Sequence, residues 1–381
     1  MWLVLADSSA MLAITAETLR MDAAIAVEET FDFQSEEYRA FFNLHRGTVF
    51  QAPVWMDLIH RRLATNLSAK QHTITVRDPR DGALLVVIPM VIQQAARVQV
   101  LQPADFGVCD YNCAVGDRVV LETLAADPAA VSGLDALLSG AHVLLFRKVR
   151  DDGFDPARLF SRTTATPCEN AAFHSDVGDD FDAWQRRTIR RKFSKELGRL
   201  ARQLEREAGL YEHRAATTEA EVREAFAFLR SVRDGRFEAD LLQRDVYWNF
   251  YLAFAIAGLT CGECVTYVSY LGGKPVAVLF GLAGGDQFHA VLSGFDADGY
   301  GKYSVGLQII YRIIKLRFEQ GFKRFDMGLG NTGYKSNFRV EETQLHNFSR
   351  STSFSGSAFA FVYHRLKSLK NALKRCVPQF R

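Results

Sequence analysis

Proline is scarce in this chain, 9 of 381 residues, whereas phenylalanine is abundant at 29. With 48% hydrophobic and 24% charged residues, the balance excludes a wholly disordered or fibrous chain and leaves ample apolar surface for cores. The length is about twice that of a usual single domain, which predicts two. Cysteine is sparse too. Six in a chain this long make no disulfide framework, and cytosolic reduction suits all of them. Cys261-Gly-Glu-Cys264 has the spacing of a metal knuckle or redox pair, but no second pair with ligand spacing accompanies it. Buried or strand-end thiols are the plainer reading, and no metal site is expected. Long apolar runs are missing as well: the longest, Ala83 to Ile92, is about half a membrane span and contains Pro89. The first residues lack a basic region and carry Asp7 and Glu17, which makes a poor signal peptide. Met21 is a candidate start, and residues 1–30 read as an extension.

Acid is the last thing missing, and only locally. From Thr343 to Arg381 there is no Asp or Glu but seven Lys or Arg, so the first 342 residues carry about −5 and the tail +7. Val362, Leu366, Leu369 and Leu373 form one apolar stripe there, with Arg365, Lys367, Lys370, Lys374 and Arg375 around it. A basic amphipathic helix over 351–381, with Phe359, Phe361, Tyr363 and Phe380 at its flanks, has the profile of an interfacial helix on an anionic membrane. A terminal helix packed on the second domain is the alternative.

Between these ends the pattern is mixed α/β. Ser35 opens a helix to His45, and a second runs from Val54 to Ala64. Strands at His72–Arg77 and Ala83–Ile92 flank a turn at Asp78-Pro79-Arg80-Asp81-Gly82, and Pro89 argues for an edge or a bulge. A polar loop, Asp105 to Asn112, a helix at Pro128–Leu138 and a strand at His142–Phe146 close the half 31–165. Residues 151–180 read as loop. Arg186 to Arg206 holds nine basic residues with Leu197, Leu200 and Leu204 at helical spacing, an amphipathic helix with a basic outer face. That face is either plainly solvated or a dock for an anion, RNA included. In the half 166–350, helices at Glu219–Arg233 and Asp245–Ala257 precede three strands, Cys264–Leu271, Pro275–Leu282 and Gln287–Phe295. Tight glycine turns join these into an antiparallel meander. A helix from Ser304 to Gln320 ends at Gly321, and short strands follow at Lys323–Met327 and Gln344–Ser349. Gly328-x-Gly330-x-x-Gly333 matches a dinucleotide fingerprint only literally, because no helix, second parallel strand or acid follows as that site requires. Its glycines let the backbone turn sharply beside a ligand.

A meander, then a helix, a strand and a Tyr-Lys loop resembles the second half of a GNAT acyltransferase domain. Phe325-Asp326-x-Gly328-x-Gly330-x-x-x-Tyr334-Lys335-x-x-Phe338 resembles the motif of the bacterial cellulose-biosynthesis (CelD-like) acetyltransferases, relatives of the Fem-type transferases. Arg190-Arg191, Arg233-x-x-Arg236-Phe237 and Asp110-Tyr111-Asn112 fit its habits. The resemblance implies two tandem GNAT-like domains, each with a mixed, mainly antiparallel sheet flanked by helices, and an acyl donor held by the second. The helix start at Ser304-Val305-Gly306-Leu307 offers backbone N–H groups for a pyrophosphate, although the loop departs from the usual GNAT form. Acyl-CoA is the expected donor and no permanently bound cofactor is expected; an acyl carrier protein or aminoacyl-tRNA is the alternative.

N-acyl transfer from a thioester needs a base for the amine, donors for the oxyanion and an acid for the thiolate. Tyr334 is the candidate acid. Asp326 is placed to orient Lys335 or accept a proton, Lys335 to meet an anion, and His289 to act as base; each also has a packing, capping or structural reading. Asp110, Tyr111 and Asn112, with Arg233 and Arg236, are the expected acceptor contacts. No Ser-His-Asp or Cys-His nucleophile stands out, so direct attack is expected. The acceptor expected is an amine or hydroxyl of a lipid or envelope glycan, a sphingoid base among them since bacterial ceramide synthases resemble this family, and no DNA partner is expected. The site of action is the cytoplasm, with residues 359–381 on the inner face of the membrane. The alternatives are an inactive GNAT-like binding subunit of an exopolysaccharide machine or an aminoacyl-tRNA-dependent transferase.

Overall fold

The computed structural model describes residues 23–361 apart from 46, 96, 152, 237–239 and 331–332. The apolar stripe read at Val362 to Leu373 and the start at Met21 lie outside the described residues.

The second half of the chain builds a seven-stranded sheet in the order Tyr211–Ala215, Cys264–Leu271, Lys274–Gly284, Gln287–Phe295, Arg324–Leu329, Ala172–Asp176, Glu341–Thr343. The meander forms where the sequence places it. Gly272 and Gly273, at φ 54° and 81°, make its first turn in a conformation that other residues rarely adopt. One face of the sheet receives the helix Val305–Glu319, whose Ile309, Ile310, Ile313 and Ile314 pack on Tyr267, Leu279, Phe288 and Phe325. The other face takes Glu219–Arg233 and Asp245–Cys261, and its core runs on into the first half. There Trp55 lies 4.8 Å, ring to ring, from both Phe250 and Phe254. Burial of this aromatic cluster joins the two halves through a shared core.

The first half contributes a four-stranded and a six-stranded sheet. The apolar run Ala83 to Ile92 divides at Pro89 into Leu84–Ile88 of the smaller sheet and Met90–Ala95 of the larger. The missing N–H of proline thus falls at a corner between sheets instead of on an edge. Ala24–Glu28, inside the stretch read as an extension, forms an edge strand on Thr73–Arg77. Residues 151–180 hold more order than their loop-like composition predicts: Ala172–Asp176 lies between Arg324–Leu329 and Glu341–Thr343. The basic segment forms two helices, Phe181–Thr188 capped by Asp180, and Arg191–Ala208, with Leu197, Leu200 and Leu204 buried. The last strand, Leu345–Ser351, returns to the first half and pairs with Val143–Arg150 and Thr164–Pro167. Among the described residues no helix is long and apolar enough to cross a membrane.

Candidate active site

Gln287–Phe295 and Arg324–Leu329 run parallel, and they pair over three positions only: Gln287 with Arg324, Phe288 with Phe325, and His289 with Asp326. Beyond His289 the two strands part. Asp110 and Tyr111 of the first half reach into the fork this leaves. Gly328 admits them: a Cβ there would lie 2.6 Å from Asp110 Oδ2, and its φ of 70° already disfavours other residues.

The polar groups in the fork form one network. His289 lies between two carboxylates, with Nε2 2.9 Å from Asp110 Oδ2 and Nδ1 3.3 Å from Asp326 Oδ1. The Tyr111 hydroxyl donates to Asp326 at 2.8 Å and the Gly328 N–H at 2.7 Å. Arg150 of the first half sits 3.8 Å from Asp326 Oδ2 and stacks 5.1 Å from the Tyr111 ring centroid. Burial opposes charge on His289, but the Asp326 carboxylate and hydrogen bonds with Asp110 and Asp326 push its pKa up to about 9. Burial likewise opposes charge on Asp326, yet His289 outweighs it and holds the carboxyl at about 2. At neutral pH the ring is therefore an imidazolium between carboxylates, which does not suit the base role read for His289 from the sequence. Asp110 is the exposed member: its side chain is 27% accessible, against 2% for His289 and 4% for Asp326.

The other expected residues distribute around this centre. Asn112 holds the loop, donating to Asp105 Oδ2 and Arg147 O at 2.9 Å each. The Lys335 ammonium, expected at an anion, turns inward onto the carbonyls of Gly328 and Leu329 at 2.9 and 3.0 Å and lies 4.9 Å from the Phe173 ring centroid. Burial lowers its pKa to about 8, with Asp110 and Asp326 opposing the drop. Tyr334, one residue earlier, is half-buried against a core that includes Trp184, Ile313 and Phe338. Arg233 pairs with Asp240 and donates to Ser293 O at 2.7 Å. Arg236 is exposed, donates to Phe295 O at 3.0 Å and stacks 5.0 Å from that ring's centroid. Phe295 also meets the helix start at 304–307, since a Cβ on Gly306 would lie 2.5 Å from its ring. Gly306 is thus required by packing, and the packing brings the first turn of Val305–Glu319 to the same ring as Arg236. Strand geometry puts Phe295 about 20 Å from His289.

Arg150 is the member of the network that sequence reading missed. Its strand extends past Phe146 to Arg150, and Lys148 at φ 55° interrupts the alternation that would have revealed which way Arg150 faces. The two cysteines differ in setting: Cys264 is buried at a strand start and donates to Phe254 O at 3.2 Å, while Cys261 is half-buried. His174, Asp176 and Glu341 bring one ligand atom each within 4.8 Å of one another. Both oxygens of Asp176, however, are engaged by Arg324, at 2.6 and 2.8 Å.

A meander, a parallel pair that forks after three positions, and a helix crossing between the two forked strands define the second half. Residues 191–336 match the family model described as an acetyltransferase (GNAT) domain. The fold is a GNAT fold. The crystal structure of FemX is similar over 86% of this chain and 97% of that chain, with TM-score 0.60 and 12% identity. A conserved protein of unknown function from Bacteroides thetaiotaomicron VPI-5482 is similar over 86% and 100%, with TM-score 0.54 and 11% identity. L-PGS from Bacillus licheniformis gives TM-score 0.53 at 12% identity over 88% and 98%. At such identities the likeness is one of fold. No curated protein sequence matches the chain.

Proposed function

We propose that the protein is an acyltransferase that moves an acyl group from a coenzyme A thioester to an amine by direct attack. The observation that carries this reading is the fork at His289 and Asp326, with Asp110 exposed inside it. The donor lies along Gln287–Phe295. Its pyrophosphate sits at the first turn of Val305–Glu319 beside Arg236, where the helix dipole favours anions; the Ser304 and Leu307 N–H groups donate to Gly301 O and Ser304 O, so those of Val305 and Gly306 are the donors that face it. The pantetheine arm spans the remaining ~20 Å of strand to the fork. There the amine nitrogen attacks the thioester carbon, the C–N bond forms and the C–S bond breaks. The proton leaving nitrogen passes to Asp110 and from it to the departing thiolate, so the network regains its starting charge. His289 orients Asp110 through Nε2–H, and Asp326 holds the ring from the other side while Tyr111 and Gly328 hold Asp326. We assign the proton to Asp110 and not to Tyr334 because Asp110 is both in the network and accessible.

The resemblance to CelD-like enzymes supports a lipid or envelope-glycan amine as the acceptor. The test is thiol release from acetyl-CoA and long-chain acyl-CoA with a panel of amines. Asp110→Asn should lower turnover ~100- to ~10,000-fold with donor affinity unchanged; equal turnover would remove Asp110 from the chemistry. A second reading, with aminoacyl-tRNA as donor, is favoured by Arg191, Lys192, Lys195, Arg199, Arg202 and Arg206, all exposed on Arg191–Ala208. Steeply salt-dependent tRNA binding that disappears when three of these become Gln would support it.

A further inference from the structure

A cavity of about 380 Å³ lies on the side of the network away from the proposed donor path. Gln287 and Arg324 line it, and they pair two positions before His289 and Asp326, at the closed end of the fork. The donor strand continues in the opposite direction, through Val291 to Phe295. The network therefore stands between the cavity and the donor path, about 7 Å of strand from the cavity wall. Asn112, two residues after Asp110, lines the cavity too.

The lining has two characters. Leu121, Ala125, Val149, Phe154 and Leu159 make an apolar end. Arg150 and Arg324 make a cationic inner wall, and towards the surface lie Arg118 and Arg158 with the carboxylates of Glu122 and Asp155, Glu122 paired to Arg118 at 2.9 Å. The hydrogen-bonded Asp176 carboxylate favours charge on Arg324 and outweighs both its burial and the nearby Arg150 cation. Asp176 takes Nε and one Nη of Arg324, at 2.6 and 2.8 Å, so an anion's contact with this guanidinium is through its other Nη, beside Arg150. The volume is that of a small-molecule site; it takes the amine-bearing end of an acceptor and leaves a lipid's alkyl chain or a glycan's polymer outside.

We propose that this cavity is the acceptor site, and that the acceptor is an amine that also carries an anionic group, carboxylate or phosphate, on a compact apolar body. The anion rests on Arg150 and Arg324, the apolar body fills the end at Ala125 and Phe154, and the amine is directed at Asp110. This rests on the acyl-transfer reading for the role of the amine, though not for the binding itself.

Calorimetry on the full chain without any acyl donor tests it, with phenylalanine, phenyl phosphate and phenethylamine as probes. At least one of the two anionic probes should bind ~10-fold or more tightly than phenethylamine, the size of a charge-assisted contact. Phenylalanine and phenyl phosphate separate carboxylate from phosphate recognition. Arg324→Gln should erase the preference for the anion. Ala125→Phe, which fills the apolar end and leaves both arginines in place, should weaken the preferred probe ~10-fold or more with melting unchanged. The proposal is overturned if phenethylamine binds as well as both anions, if no probe binds below about 10 mM, or if Ala125→Phe keeps wild-type melting and affinity. Absence of thiol release with every amine would sink the acyl-transfer reading and leave this binding result standing.

Discussion

Two buried aspartates make opposite use of the same burial. Asp105 and Asp326 are both almost wholly inaccessible and both ionised. Asp105 draws its partners from the first half alone: Arg147 and Lys148, each at 3.2 Å, the Gly107 N–H and Asn112. Burial opposes its charge, but the Lys148 and Arg147 cations prevail and hold the carboxyl well below the usual range. Asp326 instead meets an imidazole, a phenol and, through His289, a second carboxylate, and the phenol and that carboxylate come from the other half. One carboxylate fixes a loop; the other belongs to a set of groups that can exchange protons across the seam between halves. Burial alone does not mark a reaction centre. The chemistry and origin of the partners do.

Asp105→Asn should produce the largest change. It leaves two cations facing a neutral amide inside the fold, and breaking a buried pair in this way costs about 3–5 kcal/mol. A fall in melting temperature of ~4–7 °C is expected; a shift of a degree or less would mean that the cations relax into water. Asp326→Asn should do the reverse, with melting lowered modestly, because His289 can release its proton once its carboxylate partner is gone and an amide oxygen still accepts from Tyr111 and Gly328, and turnover lowered ~100-fold or more. If both variants lose stability and activity in the same proportion, the contrast between the two carboxylates fails.

The pH dependence of folding sharpens the comparison further. His289 has a folded pKa of about 9 against an ordinary 6.5. Its stabilising contribution is therefore complete below pH ~6.5 and is lost as pH rises through about 9. His289→Gln should remove that decline, so the difference in melting temperature between variant and wild type should shrink from pH 6 to pH 9. A constant difference would show that the ring is not charged in the fold. The smallest effect is expected at Glu263, a carboxylate that accepts from the Val54 and Trp55 N–H groups at 3.0 and 3.4 Å and so ties the second half to a helix start in the first. Burial pushes its pKa up to about 7 from 4.5. A raised carboxyl makes the fold less stable as pH rises between those values, and Glu263→Gln should flatten the melting curve against pH there.

Much of the candidate site was legible because local patterns carry it. Asp110-Tyr111-Asn112 is a polar loop after a strand, His289 lies within an alternating strand, and Asp326 lies within another just before Gly328; the motif resemblance points to the loop and to Asp326 as well. What the sequence withheld is long-range. Ala172–Asp176 finds its partners about 150 residues away at Arg324–Leu329, and a strand of five residues gives little periodicity to read. Leu345–Ser351 returns to the first half for a reason no local pattern records. Nothing in the local sequence distinguishes Arg150 from the other cations, and only the meeting of the halves sets it against Tyr111 and Asp326. Gly328 was expected to make room beside a ligand, and the group its missing side chain admits is Asp110.

The account's central claim is that Asp110, reaching from the first half into the fork of the second, carries the transferred proton. The most direct measurement is the pH–rate profile of thiol release for wild type and Asp110→Asn, alongside calorimetric affinity for the donor. The account predicts an acidic limb in the wild type that disappears in the variant, with turnover ~100-fold or more lower across the range and donor affinity within about threefold. A variant that turns over at the wild-type rate with the acidic limb intact would contradict it.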